Sequence, residues 1–368
     1  MKAKSLTRWG SLAFVGALAL TACGSDNATG TAGSGSKAND SSLPSTPLTG
    51  VGASSQQAAI TAWEQGFSEL GGSVQYSPDG SGAGREALLA GGAKFAGSDR
   101  ALKAEEWEKS KQVCGEGGAI NIPVYISPVA IAFNLPGISS LNLDGETIAK
   151  IFKGEITKWN DEAIASQNPD ASLPDTKITV VHRSDDSGTT ENFTEYLAAA
   201  SNGAWGAEAD GNWPAQYAGE SNKGTSGVVS TTSSTEGAIT YADASSIGSL
   251  GKVKVKVGDQ YVELSADSAA KTVELSKRHG GMNEHDMAID VNRTPDDPSA
   301  YPVVLVSYHI VCSGYSSEDD VTLVKAYESY VAGEEGQKAA ADAAGSAPLT
   351  EPLRADAKTA IDSISVTK

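Results

Sequence analysis

Basic residues are scarce in this sequence: 28 Lys and Arg stand against 46 Asp and Glu, a formal net charge of -18 over 368 residues. A chain of that sign is repelled by phosphate backbones, which argues against nucleic acid and against anionic lipid as partners. Any anion it holds must be caught by local dipoles and a buried Arg, against the long-range field. Histidine is rarer still. His182, His279, His285 and His309 show no H-E-x-x-H spacing, and "NEHD" at 283–286 puts metal-capable side chains in a polar loop without a ligand pattern, so no metal is expected. A G-x-S-x-G elbow is missing, which leaves Ser187 without the usual setting of a hydrolase nucleophile. The glycine-rich "GSGAGRE" lacks the Gly-Lys-Ser/Thr ending of a phosphate loop. "GVGASS" has no acidic residue about twenty positions on at a second strand end. Nucleotide cofactors are therefore not expected, and neither is a repeat architecture, since no solenoid period is visible.

Long apolar runs are absent except near the start. "SLAFVGALAL" follows Lys2, Lys4 and Arg8 and is too short to span a bilayer as a mature helix. It ends in "LTAC", Leu20 to Cys23, which resembles a bacterial lipobox. Residues 1–22 are read as a lipoprotein signal peptide, with Cys23 as the lipidated N-terminus. Residues 23–46 follow as a flexible tether, because Gly, Ser, Thr, Asn and Asp dominate and too little apolar surface is available to fold. Removing 1–22 takes away three basic and no acidic side chains, so the charge moves from -18 to -21. The remaining chain is expected outside the cytoplasm, held to the cell membrane by the lipid alone. Cysteine is equally sparse. Cys114 and Cys312 are the two left in the export product, and an even pair in an oxidising compartment predicts a disulfide.

What is present is an alternation of β-like and helical segments. "SSQQAAITAWEQGFSEL" carries Ile60, Trp63, Phe67 and Leu70 at helical spacing, with Ser54 and Ser55 available as caps. "GSVQY" reads as a strand, "DGSGAG" as a tight turn, "REALLAGG" as a helix closed by Gly91, and "KFAGSD" as a short strand. "INIPVYISPVAIAFN" reads as two apolar β-runs broken at Ser127-Pro128, long enough to cross between lobes. "TKITVVHRS" is a strand, "TTENFTEYLAAAS" a helix, "YPVVLVSYHIVC" a return strand, and Leu323, Tyr327 and Tyr330 share one stripe of a C-terminal helix pair. Such alternation predicts an α/β fold with ligand-facing loops at strand ends.

Three loops share one pattern: a strand end, small hydroxyl and glycine residues, then a helix start. They are "GVGASSQ" at 50–56, "DGSGAG" at 79–84 and "DDSGTT" at 185–190. A helix N-terminus offers orphan N–H donors and about half a positive charge, so it holds an anion without lysine. Each alone is a capped helix start. Together with Arg183 on a strand end, they can surround one tetrahedral oxyanion.

These segments also carry a resemblance. "LTGVGASS", "YSPDGSGAGRE", "FAGSD", "IFKGEITKWND", "HRSDDSGTT" and "EEGQKAAADAAGSAPL" resemble, in order and spacing, the PstS substrate-binding proteins of bacterial high-affinity phosphate ABC importers, over about 47–365. The resemblance implies a two-lobed periplasmic-binding-protein fold of type II, with two hinge crossovers and phosphate in the cleft between lobes. Lobe one would comprise 47–125 and 304–368, and lobe two 126–303. By motif position, Ser54, Ser55 and Ser81 would donate to phosphate, Asp99 would accept its proton, and Arg183, braced by Asp185, would pair with its charge. Ser187, Gly188 and Thr189 would donate from the third helix start. The resemblance implies a monomeric binder without cofactor, serving an ABC permease, rather than an enzyme. Two positions depart from the pattern. Asp186 stands where the family commonly has Gly, altering the turn or adding adverse charge, and Ser55 stands where an aromatic residue occurs, so that only its backbone role carries over. Competing readings are a binder of sulfate or molybdate, an exported phosphoester hydrolase using Ser187, and an adhesin without a small ligand.

Overall fold

The protein is described from a computed structural model, which covers residues 43–280 and 282–367. The signal peptide at 1–22, Cys23 and tether residues 23–42 lie outside the described residues.

The first part of the chain alternates strand and helix: β1 (Leu48–Gly52), α1 (Gln57–Glu69), β2 (Val74–Ser77), α2 (Ser81–Leu89), β3 (Phe95–Ser98) and α3 (Ala104–Cys114). A single strand, β4 (Ala119–Phe133), then leads into β5 (Ser140–Leu143), α4 (Gly145–Lys153), α5 (Glu162–Ala165), β6 (Thr179–Arg183) and α6 (Gly188–Ala200). Next come β7 (Glu220–Asn222), α7 (Gly224–Ser234), β8 (Ala238–Asp243), β9 (Gly251–Val257), β10 (Gln260–Val262) and α8 (Ala266–Glu274). The short pair β11 (Lys277–Arg278) and β12 (Ile289–Asp290) precedes the return strand β13 (Val304–Cys312). The chain ends with β14 (Gly314–Tyr315), α9 (Glu318–Ala332), α10 (Glu334–Ala344), α11 (Glu351–Ser363) and β15 (Ser365–Val366).

The main sheet has eleven strands, in the path β2-β1-β3-β13-β4-β8-β6-β7, with β9 also joining β4, β5 and β10. Parallel β2-β1-β3 forms one lobe and parallel β8-β6-β7 the centre of the other. Two antiparallel strands join them. Along β4, residues 119–128 pair with β13 and residues 129–133 pair with β8. This corrects the expected break at Ser127-Pro128. Pro128 has no N–H to give, and it sits where β4 changes partner, so the strand runs on unbroken. Every residue of β4 is buried, as is every residue of β13. Strands covered on both faces read as continuous apolar runs, which is how both stand in the sequence.

The C-terminal helices return to the first lobe. The Trp63 indole donates to the Gly336 carbonyl at 2.7 Å, and Gln337 donates to Val124 O at 2.8 Å. Tyr327 packs edge-on to Phe67 at 5.2 Å, which places Leu323 and Tyr327 of the expected stripe in the core, while Tyr330 is only partly buried against it. Cys114 at the end of α3 and Cys312 at the end of β13 are disulfide-bonded, with Cα atoms 4.6 Å apart. Among the described residues no helix is long and apolar enough to cross a membrane.

Candidate anion-binding site

Four helix or turn starts converge between the lobes. The first is the 3-10 turn Ser54–Gln56 ahead of α1, which the sequence reading had as an N-cap. The structure uses Ser54 otherwise. Its Oγ accepts from the Thr225 N–H at 3.0 Å and lies 3.0 Å from the Thr225 hydroxyl, tying the two lobes together. The second is the start of α2. Here "DGSGAG" differs from the expected tight turn, because α2 begins at Ser81 and takes Gly82 and Gly84 into its first turn. The third is the start of α6, where Ser187 is the N-cap and its Oγ accepts from the Thr190 N–H at 3.2 Å. The fourth, the start of α7, was not read from the sequence; its Gly224 N–H donates to Asp185 at 3.0 Å.

Asp99, just beyond β3, lies at the centre and is 2% exposed. Its Oδ1 accepts from the Ser55 and Ser307 hydroxyls, both at 2.6 Å, and its Oδ2 accepts from the Thr189 hydroxyl at 2.8 Å. Gln56 Nε2 donates to Ser307 Oγ at 2.6 Å, which commits the Ser307 proton to Asp99. The Asp99 N–H donates to Ser81 Oγ at 3.1 Å, and its carbonyl accepts from Asn192 at 2.6 Å. Asp99 therefore neither caps α3 nor pairs with Arg100. The Lys103 N–H donates to Glu106, and the Arg100 guanidinium also engages Glu106. Gly188 is required by close approach: a Cβ there would lie 2.7 Å from Asp99 Cβ and 2.8 Å from Ser81 Oγ.

Arg183 ends β6 and is 3% exposed. Its Nε donates to Asp185 Oδ1 at 2.8 Å and its Nη2 donates to Asp185 Oδ2, a fork-on-fork pair. The Arg183 N–H donates to the Tyr241 hydroxyl, which also meets Thr190 at 2.8 Å. Nη1 has no acceptor among the described residues. Burial pushes the Asp185 carboxyl up, but the Arg183 hydrogen bonds and charge, with the Gly224 N–H, outweigh it and hold the carboxyl below its ordinary range.

The three loops and Arg183 are thus brought together with all the residues singled out in them. Ser187 has least to offer a ligand, because its N–H is spent on the Gly211 carbonyl and only its hydroxyl proton is free. The N–H groups of Gly188 and Thr189 have no acceptor among the described residues. The Ser55 hydroxyl donates to Asp99, so what Ser55 can offer a ligand is its backbone N–H. Ser307, Thr225, Tyr241 and Gln56 were missed. Ser307, with His309 two residues on, interrupts the otherwise apolar run "VVLVSYHIV", and that interruption was its only signal.

Asp186 does not add unpaired negative charge. Its carboxylate faces Arg85 Nη2 at 3.1 Å, and Arg85 also donates to Glu106 at 3.0 Å and Ser98 at 3.1 Å. Glu106 is depressed to about 2: burial raises it, and the Arg100 hydrogen bond with the Arg85 and Arg100 charges overcomes that. Deeper toward the crossing strands, Asp243 accepts from Tyr125 at 3.1 Å and from the Ser245 N–H at 2.9 Å. Burial raises Asp243 to about 6, and the Asp99 charge adds to the rise. His182 turns from the site, stacking on Trp213 at 4.9 Å. The "NEHD" loop is held to β4 by Asp286, which accepts from Asn121 Nδ2 at 2.7 Å.

Comparisons with known proteins bear on the family and the fold. A family model described as PBP superfamily domain matches residues 26–335. Phosphate-binding protein PstS 3 of Mycobacterium tuberculosis (strain ATCC 25618 / H37Rv) is 37% identical, with 98% of this chain and 99% of that protein covered. Phosphate-binding protein PstS 2 of the same strain is 37% identical, with 96% of this chain and 97% of that protein covered. Among solved structures, a phosphate-binding protein from Stenotrophomonas maltophilia superposes with a TM-score of 0.67 at 24% identity, covering 85% of this chain and 93% of that one. The phosphate-bound periplasmic protein PfluDING superposes with a TM-score of 0.69 at 22% identity over the same shares, 85% and 93%. With a superfamily match over most of its length and 37% identity to relatives that it covers almost end to end, this chain belongs to the PBP superfamily and, within it, to the PstS phosphate-binding proteins.

Proposed function

We propose that this chain captures inorganic phosphate between its lobes and delivers it to an ABC permease, outside the cytoplasm and anchored by a lipid on Cys23. Lobe one would comprise 47–125 and 304–368 and lobe two 126–303, divisions that fit the change of partner along β4. Arg183 supplies the one guanidinium, the Gly188 and Thr189 N–H groups and the Ser54, Ser55, Ser81 and Ser187 donors complete the shell, and Asp185 fixes the Arg fork. Capture needs no bond to form or break, so the chain acts as a binder rather than an enzyme.

The buried carboxylate of Asp99 carries this reading. Like charges in a dry cleft repel strongly, so an acceptor placed among anion donors favours a ligand that still carries a proton. Hydrogen phosphate can donate to Asp99. Sulfate is fully ionised and would set two acceptors face to face. Calorimetric titration of ligand-stripped protein with phosphate should give one site per chain, and a chromogenic phosphate ester should not turn over. No phosphate heat, or ester turnover abolished by Ser187→Ala, would contradict the reading.

A further inference from the structure

Asp186 lies one residue from the Arg183–Asp185 unit and one before Ser187, in the loop that opens α6. On charge alone it should weaken capture of an anion. Its surroundings are nevertheless built to hold it. Arg85, in α2 of the other lobe, is 2% exposed and presents Nη2 to both Asp186 oxygens, at 3.3 and 3.1 Å. The Asp186 carbonyl accepts from the Gly82 N–H at 3.1 Å, a second link between the same two loops. The carboxylate occupies a slot with a glycine on either side. A Cβ on Gly82 would lie 2.5 Å from Asp186 Cγ, and a Cβ on Gly211 would lie 2.3 Å from Oδ1. Neither glycine is among those with positive φ, so the missing side chain makes room and does not serve a turn. Arg85 is itself fixed from behind by Glu106 and Ser98.

We infer that Asp186 is a positioning residue for closure: by locking onto Arg85 in its glycine slot, it clamps the α6 start of one lobe against the α2 start of the other and strengthens phosphate capture despite its negative charge. The clamp works with its neighbours. Glu191 on α6 contacts Arg100 at 2.7 Å and Lys103 at 3.2 Å, both from the first lobe, the Arg100 approach being an ion contact without hydrogen-bond alignment. Lys223 of the second lobe pairs with Asp79 of the first at 2.9 Å. Among these, Asp186–Arg85 joins the two loops that supply Ser81 and Gly188. Closing energy built into the protein reduces what the ligand must supply, and shows as slower release.

The effect on affinity rests on the phosphate reading; the clamp itself does not, and the test separates them. Repulsion and clamping predict opposite signs for Asp186→Asn. The clamp predicts a phosphate dissociation constant raised about three- to tenfold, carried by a faster off-rate and narrowing with salt, as befits a partly exposed ion pair. Gly82→Ala should produce a loss at least as large, because a Cβ there meets Cγ of residue 186 and holds the two loops apart. In the absence of phosphate, interlobe distances from paired spin labels should shift toward open in Asp186→Asn, with the unfolding midpoint changed little. An unchanged or lower dissociation constant in Asp186→Asn would overturn the inference. So would identical interlobe distances in ligand-free wild type and variant. If wild type binds no phosphate while the distances still shift, the clamp stands and the ligand assignment falls.

Discussion

Arg183→Ala is the perturbation whose cost the geometry specifies best. The guanidinium is almost wholly buried, forked onto Asp185 and left with Nη1 free to meet a ligand. Truncation removes a charge-assisted bond to the anion and leaves the Asp185 carboxylate facing that anion, with the Gly224 N–H as its remaining support. Removing one partner of a buried, hydrogen-bonded charge pair costs about 2–5 kcal/mol. At about 1.4 kcal/mol per decade, that weakens phosphate binding by roughly thirtyfold to several thousandfold. Arg183→Lys should recover only part of it, because a point charge cannot hold Asp185 and the ligand as a planar fork does. The pair also fixes a sign in stability. Asp185 is depressed in the folded protein, so its contribution is present above the unfolded carboxylate value, about 4, and is lost as pH falls through the folded value. The stability gap between wild type and Arg183→Ala should therefore be full near neutrality and close in acid. Calorimetry at neutral pH with thermal melts from pH 7 to 3 reads both. A loss under about 1 kcal/mol would refute the placement of Arg183 in the site.

Asp243 should titrate oppositely: raised to about 6, it is protonated more readily folded than unfolded, so stability should fall as pH rises from about 4 to 6. Asp243→Asn should flatten that slope in melts across the window, and an unaltered slope would count against it. The Cys114–Cys312 bond closes a loop with a sequence separation of 198 residues, for which the chain-entropy argument gives about 5 kcal/mol as an upper figure. Reduction should lower the unfolding midpoint by many degrees, and a peptide map lacking the cross-link would contradict the pairing. Mass spectrometry of membrane-extracted protein should find an acylated Cys23 at the mature N-terminus; cleavage elsewhere would exclude the anchor.

The parts of the site legible in the sequence are those set by local chemistry. A strand end, small hydroxyl residues and a helix start leave a signature within a few positions, which made Ser54, Ser81, Arg183 and Ser187 visible. Contacts between distant segments leave no such trace. Ser307 reaches Asp99 across 208 positions and Thr225 reaches Ser54 across 171. The slot for Asp186 depends on Gly82 and Gly211, whose meaning appears only once two lobes face each other. Strand β4 was read as broken because Pro128 looks like a stop in one dimension; a change of pairing partner at that residue makes it harmless. Helices α7 and α11, short of strong apolar periodicity, were likewise invisible until tertiary packing supplied their partners.

The central claim is that Asp99 selects a protonated oxyanion. It is tested most directly by competing sulfate against labelled phosphate near neutral pH, in wild type and in Asp99→Asn. A site built to accept a ligand hydrogen bond can reject the analogue that lacks it by about 10⁴–10⁵-fold. Wild type should therefore hold phosphate through a large excess of sulfate. Asp99→Asn, able to turn its amide N–H₂ toward an unprotonated oxygen, should narrow that gap. Equal exclusion of sulfate by both proteins, or sulfate binding by wild type, would contradict the account.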